Sequence, residues 1–153
     1  MIYKIKALLP YFDNETGSKR PLKESPYRMV EVEENYSLYD LACLILESFE
    51  FDNDHLFGFY DNVNNRRKSK KAFELKVPND LDYGSNNGDV KTAKVSEMYN
   101  KKGETWLFLF DFGDKWDFRV KFIDLVNKEE KRRYPRITEK FMEAPEQYPN
   151  YEE

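Results

Sequence analysis

"ETWLFLFDFGDKWDFRVKFIDL", residues 104–125, decides the fold. Its first half, 104–112, is apolar at successive positions, as in a central strand covered on both faces. Its second half, 115–125, sets Trp116, Phe118, Val120 and Phe122 against Asp117, Arg119 and Lys121. A period of two marks a strand with one buried and one solvated face. Between the halves stands Asp111-Phe112-Gly113-Asp114. Protein kinases also carry Asp-Phe-Gly, where the aspartate holds magnesium against ATP. They need besides it a glycine-rich phosphate loop, a strand lysine and a His-Arg-Asp loop. None of these is present. Two alternating segments that meet at a glycine make a hairpin. Gly113 is therefore expected at positive φ, and Trp116 and Phe118 are expected to share the core side of their strand.

Working outward, 2–9 and 27–33 alternate in the same way and can pair. Residues 56–61 and 72–77 read as shorter strands, the second closed by Pro78. The turn-rich stretch 79–89 reads as a loop, and 94–99 as a short helix. The main helix is 37–49. Ser37 is its N-cap, with Asp40 three residues on. Leu38, Leu41, Ala42, Ile45 and Phe49 form its apolar stripe, widened by Leu44 and Leu46. Cys43 lies in the same helix and reads as a small near-core residue of low reactivity.

The order of elements predicts an α+β domain. Its sheet is antiparallel or mixed, with about six strands and one main helix packed on it. A ubiquitin-like roll is the simplest picture. Residues 1–126 are expected to form one domain. Residues 127–153, with Pro135, Pro145 and Pro149 and no sustained period, are expected to dock on it as a C-terminal extension. Tyr134, Phe141, Met142 and Tyr148 are its candidate anchors.

The chain has 153 residues, with 12 Phe, 11 Tyr and 2 Trp among the material for its core. A net charge of -4 argues against a general nucleic-acid coat. One cysteine excludes an intrachain disulfide and a cysteine zinc cluster, and fits a reducing cytoplasm. The N-terminal apolar run is too short for a signal peptide. No run of 18 apolar residues occurs, so no membrane partner is expected.

Three clusters could carry chemistry. Asp111 and Asp114 in the turn could bind a ligand. In "FDNDHLF", residues 51–57, Asp52 and Asp54 precede His55, the only histidine. Such a group could hold a divalent ion or run acid–base chemistry. The plainer expectation is that Asp54 ends a loop while His55 bonds to backbone. Third, "RRKSKK", residues 66–71, places Arg66, Arg67 and Lys68 where they could meet phosphates. A solvated loop is the commoner role of such a run. No P-loop, nucleophile elbow, His-Glu-x-x-His or EF-hand loop is present.

Taken together and in order, several stretches resemble the plasmid pRiA ORF-three-like family of small prokaryotic or plasmid-associated domains, some linked to mobile elements. "SPYRM" keeps Arg28, with Tyr27 at the family's tryptophan. Residues 40–59 keep Leu41, Phe49, Asp54, His55, Leu56 and Phe59. "FDFGDKW" keeps Asp111, Phe112, Gly113, Asp114 and Trp116, and "EAPEQY" keeps Pro145 and Glu146. Ala42, Phe57 and Phe118 stand where the pattern has histidines, so of any imidazole cluster in relatives only His55 is left. The resemblance implies a fold rather than a reaction. The expectation is a non-catalytic binding or interaction domain in a prokaryotic cytoplasm. No cofactor, metal or catalytic residue is assigned to it. A protein or a second copy of the chain is its expected partner, and nucleic acid is not expected. The alternative is an acid–base or divalent-metal enzyme, acting on nucleic acid in a mobile-element setting. The residues marked for a site are Arg28, Asp54, His55, Asp111, Asp114 and Trp116.

Overall fold

Strands with one apolar face must bury that face, and here they do so side by side under one helix. The structure, a computed structural model, describes residues 1–10, 12–13, 18–21, 25–77 and 87–148. Its strands are β1 (Ile2–Leu8), β2 (Phe12–Asp13), β3 (Ser18–Pro21), β4 (Tyr27–Glu33), β5 (Phe57–Tyr60), β6 (Ala72–Glu74), β7 (Gly88–Asp89), β8 (Thr105–Phe110), β9 (Trp116–Val126) and β10 (Arg136–Phe141). The helices are α1 (Leu38–Ser48) and α2 (Val95–Met98). Most of the turn-rich stretch at 79–89, and Pro78, fall outside the described residues.

Eight strands form one mixed sheet in the order β10-β4-β1-β9-β8-β5-β6-β7. Each neighbouring pair is antiparallel except the parallel β6–β7 pair. The α+β class and the single main helix are as expected, but the sheet has eight strands rather than six. It is larger than the roll pictured from the sequence. The two added strands are its edges. β7 is only two residues long, and β10, Arg-Ile-Thr-Glu-Lys-Phe, has no apolar alternation because an edge strand buries little. The ribbon of β2 and β3 stands apart as a two-stranded sheet.

Both helices pack on the same side of the sheet. Ser37 caps α1 by accepting the Asp40 amide N–H at 3.0 Å. Leu38, Leu41, Ala42, Ile45 and Leu46 of α1 are buried against Tyr3, Ile5, Val30, Val32, Phe108, Phe118 and Val120. Aromatic rings interlock across the strands. Phe59 stacks on Phe108 at 4.8 Å, Phe108 meets Phe118 at 5.4 Å, and Phe118 meets Phe49 edge-on at 5.1 Å. Cys43 is half-buried at the side of α1, where Asn53 Nδ2 donates to its sulfur at 3.4 Å. Desolvation is the main cause holding its thiol pKa above the ordinary value.

On the opposite side, among the described residues, the sheet carries no helix. A small cluster of Tyr60, Ala72, Leu107 and Leu109 lies there, flanked by Val63 and Phe112. Among the described residues no helix is long and apolar enough to cross a membrane.

Phe118 is fully buried, whereas Trp116, on the same side of β9, is only partly covered and packs against the core edge. Phe118→Ala should therefore lower stability by about 3–5 kcal/mol. Trp116→Ala should cost less, about 2 kcal/mol, because part of its ring already meets water. Urea denaturation followed by circular dichroism would rank the two; a larger loss at Trp116 would contradict the assigned burial.

Candidate functional site

The turn that joins β8 to β9 spans five residues, 111–115, closed by the Lys115 N–H donating to the Asp111 carbonyl at 2.6 Å. Positive φ falls on Asp111 (64°) and Lys115 (56°), and not on Gly113 as expected from sequence. The reason is the aspartate itself. Its Oδ1 accepts the amide N–H groups of Gly113 (3.0 Å) and Asp114 (3.2 Å), so a side chain closes the turn locally. Aspartate tolerates the left-handed region for the same reason. A Cβ on Gly113 would lie 3.3 Å from that oxygen, so close approach rather than φ favours glycine there.

Asp111 is buried, and its own N–H donates to the Leu56 carbonyl at 2.9 Å. That bond brings the 51–57 segment alongside the turn. His55 Nε2 then lies 3.3 Å from Asp111 Oδ2, 3.5 Å from Asp54 Oδ1 and 2.8 Å from the Tyr148 hydroxyl. The Tyr148 hydroxyl donates its one hydrogen to Asp54 Oδ2 at 2.6 Å. Its oxygen can only accept from the imidazole, so Nε2 carries a hydrogen and faces three acceptors. His55 thus bonds to a side chain of the C-terminal segment and not to backbone, as had been expected. The bond to Asp54 is the leading cause pushing the Tyr148 pKa up to about 12.

Gln147 completes the connection. It is buried, it accepts the Asp52 N–H at 2.7 Å, and its Nε2 donates to the Asp52 carbonyl at 3.0 Å. A weaker bond runs from Nε2 to Asp54 Oδ1 at 3.3 Å. Sequence reasoning marked Tyr148 as an anchor but not as a member of this cluster, and it missed Gln147. No local signal exists for a contact between residues 93 apart.

The other marked residues are dispersed. Asp114 is exposed at the turn and gives only its N–H to Asp111. Trp116 packs edge-on against Phe51 at 4.9 Å, and its Nε1 is buried without a partner among the described residues. Arg28 sits elsewhere, at the C-terminal end of α1. It is buried, with its guanidinium 4.5 Å above the Phe49 ring. Its Nε donates to the Ser48 carbonyl at 2.8 Å, and Nη1 to the carbonyls of Tyr27 (2.9 Å), Phe141 (3.1 Å) and Met142 (2.9 Å). A cleft of about 650 Å³ opens beside it, lined by Arg28, Ser48, Glu50, Lys140, Met142, Glu143 and Ala144. Of the marked residues, Arg28 is the one that lines this cleft.

The basic loop is structured. Residues Arg66–Lys68 form one 3-10 turn, with the Asn65 side chain accepting the Arg67 N–H at 3.1 Å. Arg66 lies over Phe112 at 4.8 Å and over Tyr60 at 5.8 Å, so it caps the small cluster on the open side of the sheet. Arg67 and Lys68 are exposed. Burial first, then the bond to Glu74, raises the Tyr60 pKa. Among the described residues no three His, Cys, Asp or Glu side chains form a group that could hold a metal ion.

The family model of the plasmid pRiA4b ORF-3-like proteins matches residues 21–148. The chain belongs to that family. Its fold is also that of a protein of unknown function, MM3350 from Methanosarcina mazei Go1, known from a crystal structure. The two share 21% sequence identity with a TM-score of 0.72, over 94% of this chain and 71% of that one. No curated protein matches. In this member of the pRiA4b ORF-3-like family, the Asp-Phe-Gly-Asp turn and the Asp54-His55 pair meet through Asp111 and His55.

Replacing Asp111 separates its two duties. Asp111→Asn keeps an oxygen for the turn and tolerates positive φ, so stability should fall by less than about 1 kcal/mol. Asp111→Ala removes the acceptor and leaves a Cβ residue at positive φ, for a loss of about 2 kcal/mol. Thermal unfolding of both variants would show equal losses if the turn did not depend on that oxygen.

Proposed function

We propose that this chain is a non-catalytic binding domain whose histidine–aspartate cluster fastens the C-terminal segment to the body. The observation that carries this reading is the placement of His55 Nε2 among Tyr148, Asp54 and Asp111. That nitrogen is a donor facing Tyr148, Asp54 and Asp111, and the tyrosine that fills the site belongs to the chain itself. An acid–base site of this layout would use Nδ1 on a hydroxyl or thiol. No such partner bonds to it among the described residues. Asp111 is likewise engaged as the acceptor of its own turn.

In this reading residues 1–126 are the body, and 127–153 are an extension that contributes β10 to its sheet. Family membership and the free Cys43 support a place in the reducing cytoplasm of a prokaryote. The acid–base alternative draws on the same distances around His55, and no observation favours it over the fastening role.

Calorimetric titration with magnesium and with manganese should give no saturable heat, and His55→Ala should lower the unfolding temperature. A divalent ion bound tightly by the wild type and released in Asp111→Asn would overturn the proposal, because that carboxylate would then serve a metal.

A further inference from the structure

The side of the sheet that carries no helix among the described residues gathers cations that are far apart in sequence. Directly opposed residues in antiparallel strands share a face. Lys6 on β1 stands opposite Lys121 on β9 and Met29 on β4. Leu8 stands opposite Arg119 and Tyr27. Lys4, one step along β1 on the same face, stands instead between Glu31 on β4 and Asp124 on β9. Like charges directly opposed across strands are destabilising, yet Lys6 and Lys121 are so placed. The nearby carboxylates have other partners. Glu31 pairs with Arg136 at 3.5 Å, Glu33 with Lys128 at 2.5 Å and Asp124 with Lys102 at 2.6 Å. Glu139 accepts the Tyr27 hydroxyl at 2.7 Å.

Among the described residues no carboxylate stands opposite Lys6 or Lys121 in the neighbouring strands, and neither forms an ion pair. Asp117 is the acid left on this face, where burial raises its pKa against the opposing pull of Arg119 and Lys115. Arg119 Nε is buried without an acceptor. Beside these cations Tyr27 and Phe141 stack at 5.1 Å, with Lys6 4.3 Å over the Tyr27 ring and Phe141 40% exposed.

We propose that this face docks an extended single-stranded nucleic acid, with phosphates along Lys6, Arg119 and Lys121 and bases against the Tyr27–Phe141 pair. This rests on the binding-domain reading and names the partner's class. Lys6 and Lys121, opposed to each other with no carboxylate facing them, call for a polyanion, and the exposed ring beside them distinguishes a nucleic acid from an acidic peptide. Every base offers a π-face to an aromatic side chain, and only unpaired strands can splay bases onto a sheet. The net charge of -4 points away from nucleic acid, and the contiguous run at 66–71 is the one stretch of sequence marked for phosphates. The set assembled by strand register points the other way.

The test is fluorescence anisotropy with labelled oligothymidine and oligouridine of about 15 nucleotides, beside a duplex of equal length and polyglutamate, over a salt series. Circular dichroism on every variant checks the fold. The single strands should bind at low salt and more tightly than either control. Lys6→Ala and Lys121→Ala should each reduce the logarithmic salt slope by about 0.7. Phe141→Leu, which keeps apolar bulk on β10, should weaken binding at least about fivefold with the slope unchanged. Arg67→Ala and Lys68→Ala should leave binding unchanged. Absent binding, equal binding of polyglutamate, or a neutral Phe141→Leu would overturn the partner class and leave the non-catalytic reading standing. Cleavage of the bound strand, lost in His55→Ala, would do the reverse.

Discussion

An arginine buried to 4% exposure must have its guanidinium N–H groups answered, and the answers that Arg28 finds hold the structure together. Its acceptors come from three elements: the end of α1 at Ser48, its own strand at Tyr27, and the end of β10 at Phe141 and Met142. The positive charge also suits the carboxyl end of a helix, where carbonyls are left without intrahelical donors. One side chain therefore fixes the main helix and the last strand on the same core strand. β10 has little apolar surface to hold it there, so these bonds matter more than its packing.

A second polar fastening lies further along the C-terminal segment. Gln147 bonds both backbone groups of Asp52, and Tyr148 joins Asp54 and His55. Asp111 links this group to the β8–β9 turn while shaping that turn. The residues that resemble a catalytic set are thus the ones that gather the turn, the 51–57 segment and the tail. The same distances that would suit proton transfer also suit a stable hydrogen-bond network. The difference lies in the tyrosine that already occupies the site and in Nδ1, to which no hydroxyl or thiol bonds among the described residues.

The elements that could be read from the sequence are those whose pattern is set by local burial. Helix α1 follows from the spacing of Leu38, Leu41 and Ile45 with Ser37 ahead of it, and β4 and β9 follow from their alternation. β10 could not be read, since its pairing with β4 is settled by bonds reaching back to Arg28, more than a hundred residues away. Gly113 drew the positive φ in the sequence reading because glycine tolerates it most readily. The turn instead places it on Asp111, whose carboxylate compensates. The pairing of His55 with Tyr148, and of Lys6 with Lys121, exists only once the sheet order is known.

The central claim is that Arg28 and the His55 cluster are successive parts of one attachment of the C-terminal segment. The Asp52 amide reports on it directly, because its hydrogen is held by Gln147 Oε1 at 2.7 Å. Amide hydrogen exchange by NMR should find this proton protected in the wild type. It should exchange about tenfold faster in Gln147→Ala, and faster also in Arg28→Met, which removes the bonds to the carbonyls of residues 141 and 142. An Asp52 amide that exchanges at the unprotected rate in the wild type, or that is indifferent to both substitutions, would contradict the account.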